Sequence, residues 1–332
     1  MSIPRHVFDQ TVAVLFAPVA PFLEGDDVTE IMINGHAEIY VERRGRLYRT
    51  GSEFASEHAL MSALRNLSQF VGRELNPRHP ILEARLPDGS RVEAIIPPAA
   101  SSGPVVCIRR FRRRKLTLNR LLELGTITRD TAGLLRTVVT RRDNVVVAGG
   151  SGSGKTSLLN ALASLAPEDD RVVIIEDSQE LQLGLSHVVH LEAQPADLRG
   201  RGEVTIRELL RATLRMRPDR IVIGEIRGGE ALDLIQAMTS GHRGCLSTVH
   251  ATLPFDTLSR LETMALMSDV DVPLNVLRGQ IASAIDTIVQ VSRCADGSRC
   301  VTHVTEVLGY DQQSGYRINH LFERSAGSGR RE

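Results

Sequence analysis

A run of glycines that ends in a lysine and a threonine has the clearest chemistry in this chain. Residues 149–156 read Gly-Gly-Ser-Gly-Ser-Gly-Lys-Thr and match the pattern G-x-x-x-x-G-K-[ST] at every defined position. The glycines at positions 150, 152 and 154 allow a tight turn whose N–H groups point inward at an anion. Lys155 can reach the β- and γ-phosphates of a nucleotide, and the Thr156 hydroxyl can bind Mg²⁺. The candidate nucleotide-binding residues are therefore Gly149, Gly150, Ser151, Gly152, Ser153, Gly154, Lys155, Thr156 and Ser157.

The segments on either side of this loop favour the same interpretation. Residues 144–148 form a short apolar run typical of a buried parallel strand, and residues 157–165 place apolar side chains at helical spacing. A strand, a glycine-rich loop and a helix N-terminus together form a binding site for phosphate. The sequence therefore predicts a nucleotide site with ATP and Mg²⁺ as the cofactors.

Two further apolar strands are predicted to end in carboxylates. Residues 221–225 read Ile-Val-Ile-Gly-Glu, which places Glu225 beside the Mg²⁺ ion and its waters. Residues 172–177 read Val-Val-Ile-Ile-Glu-Asp and deliver Glu176 and Asp177 to a strand end. Glu176 is a candidate base or water-orienting group, and Asp177 is a candidate organiser of the site. A helix-capping role is the alternative at each strand end, and the sequence leaves open which of Glu176 and Glu225 is the base.

Two histidines and an arginine extend the set of candidate catalytic residues. A third short apolar strand ends at His250, which is placed to contact the γ-phosphate, and His242 just before that strand is a second candidate. A purely structural role is the alternative for both histidines. Arg227 follows the strand end at Glu225. Thr156 and Glu225 are together the predicted metal-binding residues.

Composition and charge disfavour several other functions. The 332 residues carry a formal net charge of +0, no Trp and only 4% aromatic residues, so neither a basic field nor base-stacking side chains favour nucleic acid. The four cysteines lack the C-x-x-C spacing of a zinc site and fit reduced thiols. Since no apolar run reaches the ~18–20 residues of a membrane span, we expect a cytoplasmic protein, which could still dock peripherally on a membrane protein.

The pattern of predicted elements indicates two domains of different class. The first, residues 1–108, combines strands with a helix at 56–71 in a small α+β domain. The second, residues 118–324, alternates helices with apolar strands, which predicts a mostly parallel α/β sheet covered on both faces, with active residues at the carboxyl ends of its strands. The predicted strands are 30–34, 38–42, 46–49, 91–96 and 105–109 in the first domain, and 144–148, 171–176, 187–191, 220–224, 245–249 and 287–291 in the second.

Two short segments are predicted to lie outside these domains. Residues 109–117 form a basic interdomain linker, whose first seven residues read Arg-Arg-Phe-Arg-Arg-Arg-Lys. This basic run has three open interpretations: a solvated linker, a donor of arginines to a neighbouring subunit, or a patch that binds lipid or nucleic-acid phosphates. The tail at 325–332 is expected to be disordered.

Motifs in both halves of the chain occur together in a known family. The C-terminal motifs are 149–156, 175–177, 214–227 and 239–251, and the N-terminal ones are 28–35, 41–43, 84–91, 96–98 and 108–111. In this order they resemble the traffic ATPases of type II and type IV secretion, conjugation and pilus assembly, in which the C-terminal motifs are the Walker A, Asp, Walker B and His boxes. The N-terminal motifs look most like those of the Tad/Flp-type pilus assembly ATPases.

This resemblance implies a fold, an activity and an assembly. The fold would be a RecA-like P-loop NTPase domain at the C-terminus with a smaller PAS-like α+β domain at the N-terminus. The activity would be ATP hydrolysis that powers pilus assembly or protein secretion by a ring, usually a hexamer, through a platform protein of the inner membrane. ATP would be held between one subunit and arginines of another, at positions that match Arg85, Arg91 and Arg109. The candidate catalytic residues are then Glu176, Glu225, Arg85, Arg91, Arg109, His250, His242 and Arg227.

Other functions stay open as alternatives. Conjugation and type IV secretion ATPases have nearly the same C-terminal boxes. The tetracysteine zinc element of some type II secretion ATPases has no counterpart in this sequence, which argues against that branch and against zinc. A nucleotide-gated switch with negligible turnover is less favoured because Glu176 and Glu225 are both present. A nucleic-acid motor is disfavoured by the charge and by the lack of a stacking motif.

Overall fold

The chain divides into two compact units, which are described separately. The first comprises Met1–Arg114 and Asp197–Arg201, and the second comprises Lys115–Ala196 and Gly202–Glu332. The structure is a computed structural model that describes residues 5–25, 27–43, 45–111, 116–196, 200–294 and 296–324. Among these residues, none of the helices combines the length and the apolar character that a membrane span requires. Residues 112–115 of the basic run and the predicted tail at 325–332 lie outside the described residues.

The first unit is a six-stranded antiparallel sheet with helices packed on its apolar face. Its elements are α1 Arg5–Leu15, a 3₁₀ turn Ala17–Val19, α2 Ala20–Glu24, β1 Val28–Asn34, β2 Glu38–Arg43, β3 Arg46–Arg49, α3 Glu57–Phe70, β4 Ile81–Arg85, β5 Arg91–Ile95 and β6 Val105–Arg109. The strands lie in the order β3-β2-β1-β6-β5-β4. Helix α3 begins where the Ser56 hydroxyl accepts the N–H of Ala59. Its Leu60, Leu64 and Leu67 are buried in the core of this unit.

The sequence predicted five of these six strands and helix α3. It did not predict strand β4, which is short and lacks a strong apolar signal. It also did not predict helices α1 and α2, because Pro18 and Pro21 interrupt the apolar segment in this part of the chain. Helix α1 forms nonetheless because its Val12, together with Phe16 just after the helix, is buried against the same core as α3. Tertiary packing therefore stabilises a helix that local sequence does not indicate.

The other face of this sheet carries a row of charged side chains. Residues that pair directly across antiparallel strands point to the same face. Arg85 pairs with Arg91, Arg91 with Arg109, and Arg109 with Glu30. Their neighbours along β5 and β6 belong to the core, so this row lies on the side away from it. A guanidinium nitrogen of Arg109 lies 2.9 Å from the Glu30 carboxylate. Strand register thus places the three predicted arginines in one line.

The second unit is an eight-stranded, mostly parallel sheet between two layers of helices. Its elements are α4 Leu118–Glu123, α5 Arg129–Thr140, β7 Val145–Ala148, α6 Lys155–Ala163, β8 Val172–Glu176, β9 Val188–Glu192, α7 Ile206–Thr213, β10 Arg220–Ile223, α8 Glu230–Thr239, β11 Leu246–Val249, α9 Pro254–Leu266, α10 Leu274–Ala284, β12 Thr287–Arg293, β13 Arg299–Asp311 and β14 Gly315–Glu323. The strand order is β14-β13-β12-β7-β11-β10-β8-β9. The strands from β12 to β9 run parallel, and β13 and β14 pair in the antiparallel sense.

Strand β7 illustrates why both faces of this sheet are covered. Val145 and Val147 pack into a core with α4, α5 and α6, whereas Val146 and Ala148 pack into a second core with α7 to α10. All four residues are fully buried, which explains why the strand reads as an unbroken apolar run. The predicted covered, mostly parallel sheet is confirmed, and each of its six predicted strands forms within one or two residues of the expected bounds.

The sequence did not predict the hairpin of β13 and β14. These strands lie at one edge of the sheet, and many of their residues are partly exposed and polar. Neither strand therefore reads as the apolar run that marks a fully buried strand, and the chain between 299 and 323 gives a weak signal.

A buried ion pair joins the loops at the amino edge of this sheet. Arg220 is 2% exposed, its Nε donates to Asp170 at 2.6 Å, and one of its Nη atoms donates to the Val139 carbonyl at 3.1 Å. Asp170 is 4% exposed and also accepts from Arg142 at 2.6 Å. The pair therefore connects the loop before β8 to β10 and to the end of α5. Charges this buried are tolerated when partners of opposite charge surround them.

Substituting Asp170→Ala is expected to destabilise the second unit strongly. Arg220 would keep its charge in a buried position without its carboxylate partner, a change that typically costs about 3–5 kcal/mol. Equilibrium unfolding in urea, followed by circular dichroism, measures this loss. The matched control is Asp169→Ala, since Asp169 is the exposed acidic neighbour in the same loop. Equal stability of the two variants would show that the pair contributes nothing specific.

Candidate nucleotide-binding site

The carboxyl ends of four parallel strands meet at one edge of the large sheet. Strand β7 runs into the glycine-rich loop, β11 ends just before His250, β10 ends two residues before Glu225, and β8 ends in Glu176. The N–H of Ile226 donates to the carbonyl of Thr248 at 2.9 Å, which fixes the chain after β10 against β11. The parallel order therefore brings together side chains that are far apart in the sequence.

Two kinds of constraint require glycine in the loop. Gly152 and Gly154 have φ values of +65° and +97°, a region that side-chain-bearing residues rarely adopt. A Cβ on Gly149 would lie 2.4 Å from the carbonyl oxygen of Val291, so no side chain fits there. A Cβ on Gly150 would meet no atom within 4 Å. The structure therefore corrects the sequence-based argument at 150, because the steric requirement for glycine lies at 149.

The start of helix α6 has the features of an anion site. Its N-cap is Gly154, and among the described residues no side chain caps its first N–H groups. Such groups have no partner within the helix and attract negative charge. Thr156 lies in the same first turn, and its hydroxyl and the Glu225 carboxylate are the oxygen ligands that Mg²⁺ prefers. The residues at this edge therefore fit a nucleotide phosphate chain together with Mg²⁺.

Five titratable side chains at this edge form a chain of close contacts, each with the next. The Nζ atom of Lys155 lies 3.3 Å from each ring nitrogen of His250, and the Nε2 atom of His250 lies 2.6 Å from Oε1 of Glu225. Arg227 donates to Oε2 of Glu225 at 2.8 Å, and another of its nitrogens lies 3.0 Å from Asp177. The structure therefore brings together five residues that the sequence singled out from four different motifs.

Glu176 is held by different groups from those that hold Glu225. It is 4% exposed, and its carboxylate accepts the N–H groups of Glu180 and Leu181, both at 3.1 Å. A Cβ on Gly224 would lie 2.9 Å from the Cγ atom of Glu176, so the chain that leads to Glu225 packs directly against this side chain. Glu176 is thus fixed in place at the carboxyl edge, one strand away from Glu225.

The structure does not bring His242 to this edge. His242 precedes β11, whereas His250 follows it, so the two histidines lie at opposite ends of the strand. The carbonyl of His242 accepts from the Cys245 thiol at 3.2 Å, at the amino edge of the sheet. This corrects the expectation that His242 contacts a γ-phosphate bound to the same chain, because strand β11 separates it from the glycine-rich loop.

Two residues near the loop were missed by sequence reasoning. The Nε atom of Arg299 donates to the Gly152 carbonyl at 3.3 Å, although the two residues are 147 positions apart in the chain. The side-chain oxygen of Asn160 accepts the N–H of Gln182 at 2.8 Å, which ties α6 to the chain after β8. Neither Arg299 nor Asn160 stands in a pattern that sequence alone associates with a phosphate-binding loop.

The surroundings of His250 lower the pKa of its imidazole and so favour the neutral form. Burial lowers the pKa of His250 below its usual range, and the positive charge of Lys155 lowers it further, while the Glu225 carboxylate acts in the opposite direction. Arg227 and Arg260 also face this ring and lower its pKa.

Comparison with known proteins identifies the family. Residues 13–326 match the model of the type II/IV secretion system protein family, so the chain belongs to that family. It is 33% identical over 302 residues to the conjugal transfer protein TrbB of Rhizobium radiobacter, covering 90% of this chain and 87% of TrbB. It is 36% identical over 306 residues to the type IV secretion system protein PtlH of Bordetella pertussis, covering 83% of this chain and 88% of PtlH.

A solved structure has the same fold. The ATPase DotB of Legionella pneumophila superposes with a TM-score of 0.60 at 17% identity, covering 94% of this chain and 83% of DotB. The predicted fold class, a RecA-like P-loop domain with a smaller α+β domain, is confirmed, and so is the resemblance to the secretion ATPases.

The pKa of His250 is expected to respond in opposite directions to two substitutions. Lys155→Ala removes a positive charge and should raise the pKa, whereas Glu225→Gln removes a negative charge and should lower it further. Titration of the imidazole signals by NMR measures both changes. His190 on β9 is the internal control, because burial is what lowers its pKa. Shifts of the same sign in both variants would contradict the assigned contacts.

Proposed function

We propose that this protein hydrolyses ATP to drive a pilus assembly or protein secretion machine at the cell envelope. The observation that supports this best is the meeting of Lys155, His250 and Glu225 beside the phosphate-binding loop. A nucleotide switch needs a site for phosphates, whereas hydrolysis also needs a carboxylate and compensation of the developing charge. The additional acidic and basic groups at this edge favour turnover over simple binding.

Each residue at the edge has a role in the proposed reaction. Lys155 and the first N–H groups of α6 bind the β- and γ-phosphates, and His250 contacts the γ-phosphate. Glu176 orients or deprotonates the attacking water, with its carboxylate held by two backbone N–H groups. Thr156 and, through water, Glu225 would hold Mg²⁺, which neutralises charge on the phosphate oxygens.

We also propose that the ATP site is completed by a neighbouring subunit in a ring, with six subunits as the expected number. The row of Arg85, Arg91 and Arg109 supports this, because strand pairing aligns these residues on the face away from the core. An arginine that neutralises charge on the transferring phosphoryl group increases the rate by about 10³–10⁵. Arg109 would exchange its contact with Glu30 for the phosphate.

The machine that this motor serves has two candidates. The N-terminal motifs favour a Tad/Flp-type pilus. Similarity to TrbB and PtlH, whose names refer to conjugal transfer and type IV secretion, favours such a system as the second candidate. In either case we propose a cytoplasmic ring that acts on a platform protein of the inner membrane.

Steady-state ATP hydrolysis tests the proposed activity. Specific activity is expected to rise with protein concentration, because a shared site forms as subunits associate. Lys155→Ala should weaken nucleotide binding, and Glu225→Gln should bind ATP but lower kcat by about 100-fold or more. The control is Glu168→Gln, an exposed residue before the amino end of β8. Near-full turnover by either active-site variant would refute the assignment.

The roles of the two glutamates are expected to separate in their dependence on Mg²⁺. Glu225→Gln should raise the Mg²⁺ concentration needed for half-maximal activity, because Glu225 holds the ion through water. Glu176→Gln should lower kcat at every Mg²⁺ concentration without changing that requirement. Magnesium titrations of ATP turnover by both variants measure the difference. The reverse pattern would exchange the two roles.

Mixing two inactive variants tests the shared site. Arg91→Ala alone should lose activity, and a ring that combines it with Lys155→Ala subunits should regain part of it, because some sites then hold both an intact loop and an intact arginine. Turnover of the mixture measures the recovery. Arg46→Ala, an exposed arginine on β3, is the control and should remain active. Without any recovery in the mixture, the arginine row does not act across subunits.

A further inference from the structure

The hairpin between β12 and β13 brings an arginine against the phosphate-binding loop. Arg299, the first residue of β13, pairs with Arg293, the last residue of β12, and β12 lies directly beside β7. The Nε atom of Arg299 donates to the Gly152 carbonyl at 3.3 Å. A Cβ on Gly154 would lie 3.6 Å from the Cγ atom of Arg299, so the stem of this side chain packs on the turn that opens α6.

This arginine lies on the opposite side of the loop from the proposed hydrolytic groups. In the sheet, β7 stands between β12 and β11. His250, Glu225 and Glu176 follow β11, β10 and β8, all on one side, whereas Arg299 reaches the loop from the β12 side. If the γ-phosphate faces the hydrolytic groups, the α-phosphate and the nucleoside of a bound nucleotide must lie toward Arg299.

We infer that Arg299 binds the α-phosphate of the nucleotide and positions its nucleoside end. A guanidinium carries five N–H donors in a fork, so one group can bind the Gly152 carbonyl and a phosphate oxygen together. Its fork geometry suits phosphate oxygens and its charge persists at any physiological pH. This inference rests on the proposed nucleotide binding and adds a binding residue to it.

The location of Arg299 on the α-phosphate side predicts how its removal changes the affinities for ADP and ATP. ADP and ATP share the α-phosphate, so Arg299→Ala should weaken both by the same factor, roughly 10- to 100-fold for the loss of a charged hydrogen bond. A residue that contacts the γ-phosphate, such as His250, should affect ATP far more than ADP when replaced by Ala. Titration of the full chain with fluorescent analogues of ADP and of a non-hydrolysable ATP measures both affinities.

Two further variants control for charge and folding. Arg293→Ala removes the exposed arginine that pairs with Arg299 across the hairpin and should change either affinity by less than about twofold, which excludes a general charge effect. Arg299→Lys keeps the charge and the stem but not the fork, and should also bind both nucleotides more weakly than wild type. The melting temperature without nucleotide reports whether each variant folds.

The possible results distinguish this inference from the proposed function. If wild type binds neither nucleotide, the proposed function fails. If wild type binds both nucleotides and the two Arg299 variants bind them as tightly, the inference about Arg299 is wrong. It is also wrong if the loss of affinity in these variants is confined to ATP, or if Arg293→Ala loses as much affinity. An equal loss for ADP and ATP in both folded Arg299 variants, with Arg293→Ala unchanged, supports it.

Discussion

Parallel pairing of β7, β8, β10 and β11 is the constraint on which the rest of the second unit depends. Parallel strands point their carboxyl ends to one edge, so the residues that follow them must meet there. This explains how motifs spread from the glycine-rich loop to His250 form one site. Helices of the crossovers lie on both faces of the sheet and bury β7, β8, β10 and β11 on both sides.

Charge compensation within the site follows from this convergence. Lys155 faces His250, His250 faces Glu225, and Glu225 faces Arg227, so each charged group at the edge has a nearby partner. A bound triphosphate would bring negative charge to Lys155 and thereby compete with the contacts that now hold His250. Under the proposed function, this network would link binding of a γ-phosphate to the ends of β10 and β11.

In the first unit, strand register places on one face of the sheet residues that the amino-acid sequence alone does not bring together. Nothing in the spacing of Arg85, Arg91 and Arg109 indicates that they share a face, and the resemblance to a family supplied the sequence-based assignment. Antiparallel pairing places them side by side, because directly opposed residues point the same way. The core of Val92 and Ile108 on the opposite face fixes that orientation, since a slip of one residue would bury the arginines.

The sequence by itself determined the glycine-rich loop, the buried strands and the acidic strand ends, because these depend on local residue order and on continuous apolar runs. It could not determine that glycine is required at 149 instead of 150, that His242 lies at the opposite edge from His250, or that Arg299 reaches the loop. These features depend on contacts between distant segments: a carbonyl of β12 closes the space at Gly149, strand direction separates the histidines, and hairpin pairing delivers Arg299. Only the tertiary structure decides such contacts, because they follow from strand order and not from neighbours in the chain.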